Sequence, residues 1–379
     1  MQTSLLPHVA AANALTERWC AAAGSDDFVL SGCGVWPLLG VLAGAANEPA
    51  RAELAAAVGL SDAEAHEAAL RLLAELDGAE TIAGALGVWV REDVELRERW
   101  ARSLPDGTVE KLTDQAALDG WADQHTGGLI RRFPLDITPE TLLVLATAIV
   151  ARTAWRDTFD EDVLEPQDGP WQGHRGPALA RNSHQLDDVS LLTAATPVTR
   201  VVVRGIGDLD VHLLTGHGEP AEVLGAGLGA LDGSVAVRTD LPVGTEGPGL
   251  RVRDTRAVFD TLRIQLPPFE IRSSHSLLAH AELFGLRTAA DGSAQRFPEI
   301  SQTPLYVAEA AQNALARFTR EGFEAAAVTA VTLARAAALH RPRPALEISV
   351  TFDRPFGFLA VHRPTGLVIV AGWVARPPA

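Results

Sequence analysis

Two hydrophobic rhythms organise this chain. Over residues 8–23 apolar side chains recur every three or four positions, with Val9, Ala12, Leu15, Trp19 and Ala23 on one face, and this predicts an amphipathic helix ended by Gly24-Ser25-Asp26-Asp27. Ser61, followed by acids in the first turns, predicts a second helix as far as Leu76, because a polar cap and carboxylates suit a helix N-terminus. The segment from Leu142 to Trp155 is β-rich, and Val198 to Leu214 reads as two strands broken by the turn at Gly205–Asp210. Leu224-Gly-Ala-Gly-Leu-Gly-Ala is glycine-dense but lacks both GxGxxG spacing and a Lys-Ser/Thr ending, so no nucleotide site is predicted there.

One stretch keeps both rhythms open. Along Glu324–Leu333, Ala325, Ala327, Thr329, Val331 and Leu333 would fall on one strand face, and Glu324, Ala326, Val328, Ala330 and Thr332 on the other. Four alanines in these ten residues also suit a helix. Upstream, Tyr306–Gly322 reads as a strand running straight into it.

Composition narrows the function classes. At 379 residues, 47% hydrophobic and with mean hydropathy +0.09, the chain can bury a large core in one large domain or two average ones. A net charge of −16, from 32 basic and 48 acidic residues, argues against nucleic acid or an anionic membrane as partner. Lys111 is the only lysine, and the Ala/Arg/Gly-rich, Lys-poor usage looks like that of a GC-rich bacterial genome. Cys20 and Cys33 cannot build a disulfide framework or a complete zinc site and read as buried small hydrophobes. The N-terminal segment has neither a secretory pattern nor a membrane-spanning run, which predicts a cytoplasmic chain or a trimmed secreted one. No GxSxG, HExxH or Cys/His cluster is present, so no cofactor, metal or catalytic set is expected. Ser273-Ser274-His275 comes nearest to a nucleophile and base, adjacent only in sequence.

The flanks of the ambiguous stretch carry a specific resemblance. Leu305, Tyr306, Val307, Glu309, Ala310, Ala314, Glu321, Gly322, Glu324–Ala327 and Thr329–Val331 match the serpin pattern leading into the reactive-centre loop. Phe352, Arg354–Phe356, Phe358, Pro364–Gly366, Gly372 and Val374 match the pattern that follows it. Phe28–Leu60 resembles the family's segment around its central apolar helix, departing at Ser31-Gly32, where the family has Ser-Pro, and at Gly34, where it has a second serine. Leu118–Ile130 resembles the helix lying across the large sheet, Thr81–Arg91 and Leu142–Trp155 two strands of that sheet, and Leu262–Ser274 a further strand with a helix from Leu277 to Leu286. The resemblance covers residues 8–376.

It implies an α+β fold in a single domain, 1–379. This fold has a large, mostly antiparallel central sheet, further sheets, about eight to nine helices and an exposed loop at about 321–344. It also implies a monomer that inhibits a serine protease. The enzyme attacks one loop bond and is acylated, and residues 322 to about 336 then insert as a new central strand. Serpin loop insertion is itself a standard illustration of strand addition and of released strain. About 14 residues at roughly 3.3 Å each span roughly 46 Å, and about a dozen new ladder bonds favour the inserted form by on the order of 10 kcal/mol. The implied hinge is Glu321, Gly322, Phe323, Glu324, Ala325, Ala326, Ala327, Val328 and Thr329, and the implied sheet-opening region is Ser31, Thr147, Trp155 and Gln312. Counting fifteen residues from Gly322 places the attacked bond at Ala336–Ala337, suited to an elastase-like enzyme, whereas Arg335 one residue earlier suits a trypsin- or subtilisin-like one. The helix from Ser61 is basic in family members activated by polyanions and here offers only Arg71, so no heparin-like activator is expected.

Four positions depart from inhibitory members: Phe323 replaces Thr or Ser, Arg320 an acid, Thr147 an Asn and Gln312 a His. The Phe323 ring is expected to overpack the slot as the first inserted residue, at about 1 to 3 kcal/mol. The alternative is a serpin-fold protein that does not inhibit and serves as a carrier, interaction module or adapted biosynthetic enzyme.

Overall fold

The computed structural model describes residues 5–323 and 343–377. In chain order it begins with α1 (Pro7–Ala22), β1 (Phe28–Leu30), α2 (Gly32–Ala45), α3 (Ala50–Val58), α4 (Asp62–Asp77), β2 (Ile82–Val90), α5 (Glu98–Ala101), β3 (Val109–Lys111) and α6 (Gln115–His125). There follow β4 (Leu143–Ala151), β5 (Thr153–Ala154), β6 (Asp160–Leu164), β7 (Gly176–Ser183), β8 (Val189–Thr193), β9 (Val198–Arg204), β10 (Leu209–Gly216), α7 (Pro220–Asp232), β11 (Ala236–Arg238), β12 (Glu246–Gly247), β13 (Leu250–Ala257) and β14 (Thr261–Leu266). The last elements are β15 (Phe269–Ser276), β16 (Ala311–Phe318), β17 (Gly322–Phe323), β18 (Arg343–Thr351), β19 (Phe356–His362) and β20 (Leu367–Val374).

Seven α-helices therefore stand among the described residues, fewer than the eight or nine expected. Leu277–Leu286 supplies one reason: it holds a single 3-10 turn, Leu278–His280, and then turns, with Gly285 at φ +67° where a side chain would be strained. The glycine-dense Leu224–Ala230 lies inside α7. The strand expected over Tyr306–Gly322 starts only at Ala311 and breaks after Phe318.

Strands β1-β20-β19-β10-β9-β8-β11 make one seven-stranded sheet and β12-β13-β18-β14-β7-β6 a six-stranded one. The large antiparallel sheet of the fold is split lengthwise. One half is β3-β2-β4, and the other is β15-β16 joined at its head through β17 to β5. Beneath the split lies α2, buried along nearly its whole length and packed on β20, α3, α4 and β4. Such an apolar helix must be covered on every side, and α1, α3 and α4 together with β4 and β20 supply most of the cover. Gly32 opens it against α1, where a Cβ would come within 2.1 Å of Thr16 Oγ1, which accounts for glycine at this position. Both thiols are free and buried; burial pushes Cys33 up to about 12 and Cys20 higher still, so both are inert.

Candidate functional site

The facing edges of the split are β4 and β16. Strand β4 is bonded to β2 on its other side and β16 to β15, and the two do not pair with each other. Two neighbouring strand edges with free backbone groups are a template for a further strand. A cavity of about 110 Å³ lies in the upper slot, between Ala146–Ala151 and Ala311–Leu315, with α6 and the loop through Leu135 over it. A second, of about 180 Å³, continues below between Leu142–Leu145 and Pro304–Glu309.

At the head of the slot the chain has already taken its place between the edges. Phe323 pairs with Phe318 of β16 on one side and Thr153 of β5 on the other, and Gly322 pairs with Ala154. Trp155 N donates to Glu321 O at 2.9 Å, Phe159 N to Arg320 O at 3.1 Å, and the Trp155 indole to Thr319 O at 3.0 Å. The Trp155 ring lies 4.7 Å from that of Phe318. Phe323 is fully buried, its ring 6.3 Å from Phe358 and lining the upper cavity. The ring expected to resist entry into the slot is thus already seated in the sheet, and its burial, worth about 1.5–3 kcal/mol, holds Gly322 and Phe323 there. Glu324–Thr329, Arg335, Ala336 and Ala337 lie outside the described residues.

Three of the four expected sheet-opening residues converge under the slot. Gln312 clasps the backbone of Ser31 from both sides: its Nε2 donates to Ser31 O and its Oε1 accepts from Ser31 N, each at 2.9 Å. Ser31 Oγ donates to Ile369 O at 2.7 Å and accepts from Gly34 N at 3.2 Å, capping α2. Thr147 Oγ1 donates to Gly34 O. A Cβ at Gly34 would stand 3.2 Å from Gln312 Nε2, so the glycine leaves room for the longer amide. The substitutions at 34, 147 and 312 therefore form one rebuilt polar joint between α2, β4 and β16. Trp155 does not belong to it and sits at the slot's head.

In the Ser273-Ser274-His275 run, strand alternation puts Ser273 and His275 on one face of β15 and Ser274 on the other. Ser273 Oγ accepts from Val29 N at 3.0 Å and the His275 Nε2 contacts Val29 O at 2.8 Å, so both hold β1, while Ser274 lines the opposite, outer cleft. Burial lowers the His275 pKa. Among the described residues no group of three His, Cys, Asp or Glu is placed to hold a metal ion, and no helix is long and apolar enough to cross a membrane.

A split, mostly antiparallel sheet with Gly322 and Phe323 seated at its head, over a buried apolar helix, defines the class. The sequence profile of the serpin (serine protease inhibitor) family matches residues 10–168 and 251–377. The chain belongs to the serpin family. It is 24% identical over 290 residues to serine proteinase inhibitor 1 of Myxoma virus (strain Lausanne), covering 74% of this chain and 70% of that one. Among solved structures it is similar to thyroxine-binding globulin in complex with thyroxine (TM-score 0.71, 16% identity, 98% of this chain and 99% of that one). It is also similar to native protease nexin-1 with heparin (TM-score 0.70, 16% identity, 98% of each).

Proposed function

We propose that this serpin, a single domain over 1–379, is a serine protease inhibitor that works as a monomer by being cut within 321–344 and taking the cut segment into the slot between β4 and β16. The observation that supports this best is β17, an antiparallel strand of two residues wedged between β5 and β16 where the slot begins. Continuing its register past Arg152 sets Ala325 opposite Ala316 and Ala151, Ala327 opposite Ala314 and Ile149, and Thr329 opposite Gln312 and Thr147. Small apolar residues then fall where the core face is apolar. The one hydroxyl falls beside the polar joint, where a buried donor finds partners. The same alternation that fits a strand also fits a helix in isolation, and the slot supports the strand.

Phe323 favours a second reading. A ring already packed at the head could serve to hold the sheet rather than to start insertion, as in a non-inhibitory carrier, interaction module or adapted biosynthetic enzyme. Incubation with elastase-like, trypsin-like and subtilisin-like proteases, followed by a denaturing gel, separates the two. The inhibitory reading requires a covalent band at the summed mass less the small C-terminal fragment, and cleavage by every protease without such a band refutes it. The lysine-poor composition supports a bacterial source.

A further inference from the structure

On the outer face of the large sheet, the loop after α6 and strands β15 and β16 enclose a cleft of about 890 Å³. Four arginines from three separate parts of the chain line it: Arg131 and Arg132 from the loop, Arg272 from β15 and Arg317 from β16. Ser274 and Asn313 line it as well. In a chain of net charge −16 such a gathering of positive charge is unexpected.

Among the described residues, the carboxylates of Glu270 and Asp136 bond to these arginines. Arg272 and Arg317 share the carboxylate of Glu270, at 2.8 and 2.7 Å, and Arg132 pairs with Asp136 at 2.9 Å. Arg131 is exposed and makes no ion pair within 4 Å among the described residues. The guanidinium fork matches phosphate oxygens in pairs, and a partly enclosed cleft strengthens that attraction over an open surface. A sulfated glycan instead calls for an extended row of cations along the surface. Here the charges face one another across a hollow too large for a single orthophosphate.

We propose that this cleft is a binding site for a compact oligophosphate, held between Arg131 and Arg132 on one wall and Arg272 and Arg317 on the other. The proposal is independent of the inhibitory reading. The loop of the first wall also covers the upper slot, through Leu129, Ile130 and Phe133, whereas the second wall belongs to the β15–β16 half of the sheet. A bound oligophosphate ties the cover of the slot to one side of it.

The test is calorimetric titration of the full chain with tripolyphosphate, with orthophosphate and a heparin oligosaccharide in parallel. One site is expected, at least tenfold tighter for tripolyphosphate than for orthophosphate and weakening as salt rises. The double variant Arg131→Ala/Arg272→Ala should lose about tenfold or more, because a charge-assisted hydrogen bond is lost on each wall. Arg71→Ala on α4 should bind like the parent, and unchanged near-ultraviolet dichroism confirms that each variant is folded. Slower amide exchange across residues 127–132 with tripolyphosphate would support the bridge. Absence of binding at low salt, equal losses in Arg71→Ala, or preference for the heparin oligosaccharide would each overturn the assignment.

Discussion

Replacing Phe323 by alanine tests whether the hinge is seated before cleavage. The ring is fully buried between β5 and β16 and lines a cavity that already exists, so the site cannot collapse onto the space left. A buried Phe→Ala change costs about 3–5 kcal/mol. For a chain of 379 residues the unfolding entropy is roughly 0.8 kcal/mol/K, which converts this to a fall in Tm of about 4–6 °C. On the proposed insertion the ring keeps its place after a cut downstream, so both forms should fall together and the expected gain in Tm on cleavage should be unchanged. Thermal unfolding followed by fluorescence, on intact protein and on protein cut once in the loop, measures both. A fall confined to the cut form would mean that the ring enters the sheet only on insertion, and a fall below about 1 °C in the intact form would mean that it is not buried there at all.

Gln312→Ala removes both bonds to the backbone of Ser31 and should lower the intact protein's stability by about 2–6 kcal/mol, since each of the two buried groups left unpaired costs about 1–3; a denaturant midpoint equal to the parent's refutes the polar joint. His212, enclosed in β10 near Arg200 and Arg204, is held down to about 3 by burial first and by those cations second. The unfolded imidazole binds a proton near 6.5, so the fold is favoured fully above 6.5 and loses on the order of 5 kcal/mol as pH falls from 6.5 to 3; His212→Asn should flatten stability across that window, and an unchanged slope counts against it. Ala327→Arg would put a charge on the core face opposite Ala314 and Ile149, so cleavage should proceed without covalent trapping; trapping at parental efficiency contradicts the register. Mass spectrometry of the fragment released from the denatured complex should show a start at Ala337 or, with a trypsin-like enzyme, at Ala336; a start beyond Leu339 refutes both.

Local pattern was enough for elements whose stability lies in their own periodicity. The stripe Val9, Ala12, Leu15 and Trp19 is α1, where one apolar face sets how the helix lies, and the apolar runs on either side of Gly205 are β9 and β10, buried on both faces along nearly their whole length. The long matches flanking the loop likewise carried the family and the α+β class. What only the tertiary structure decided involves residues far apart in the chain. Gln312 meets Ser31 across 281 positions and Thr147 meets Gly34 across 113, so three substitutions that look like separate departures become one joint. Phe323 reads as an obstacle in sequence and is an anchor in the fold, since its burial depends on β5 and β16 closing around it. Nothing in the sequence marks Arg131, Arg132, Arg272 and Arg317 as a set. Their grouping follows from where the loop after α6 crosses the outer face of a sheet, and side-chain alternation along a strand cannot reveal which distant loop covers it.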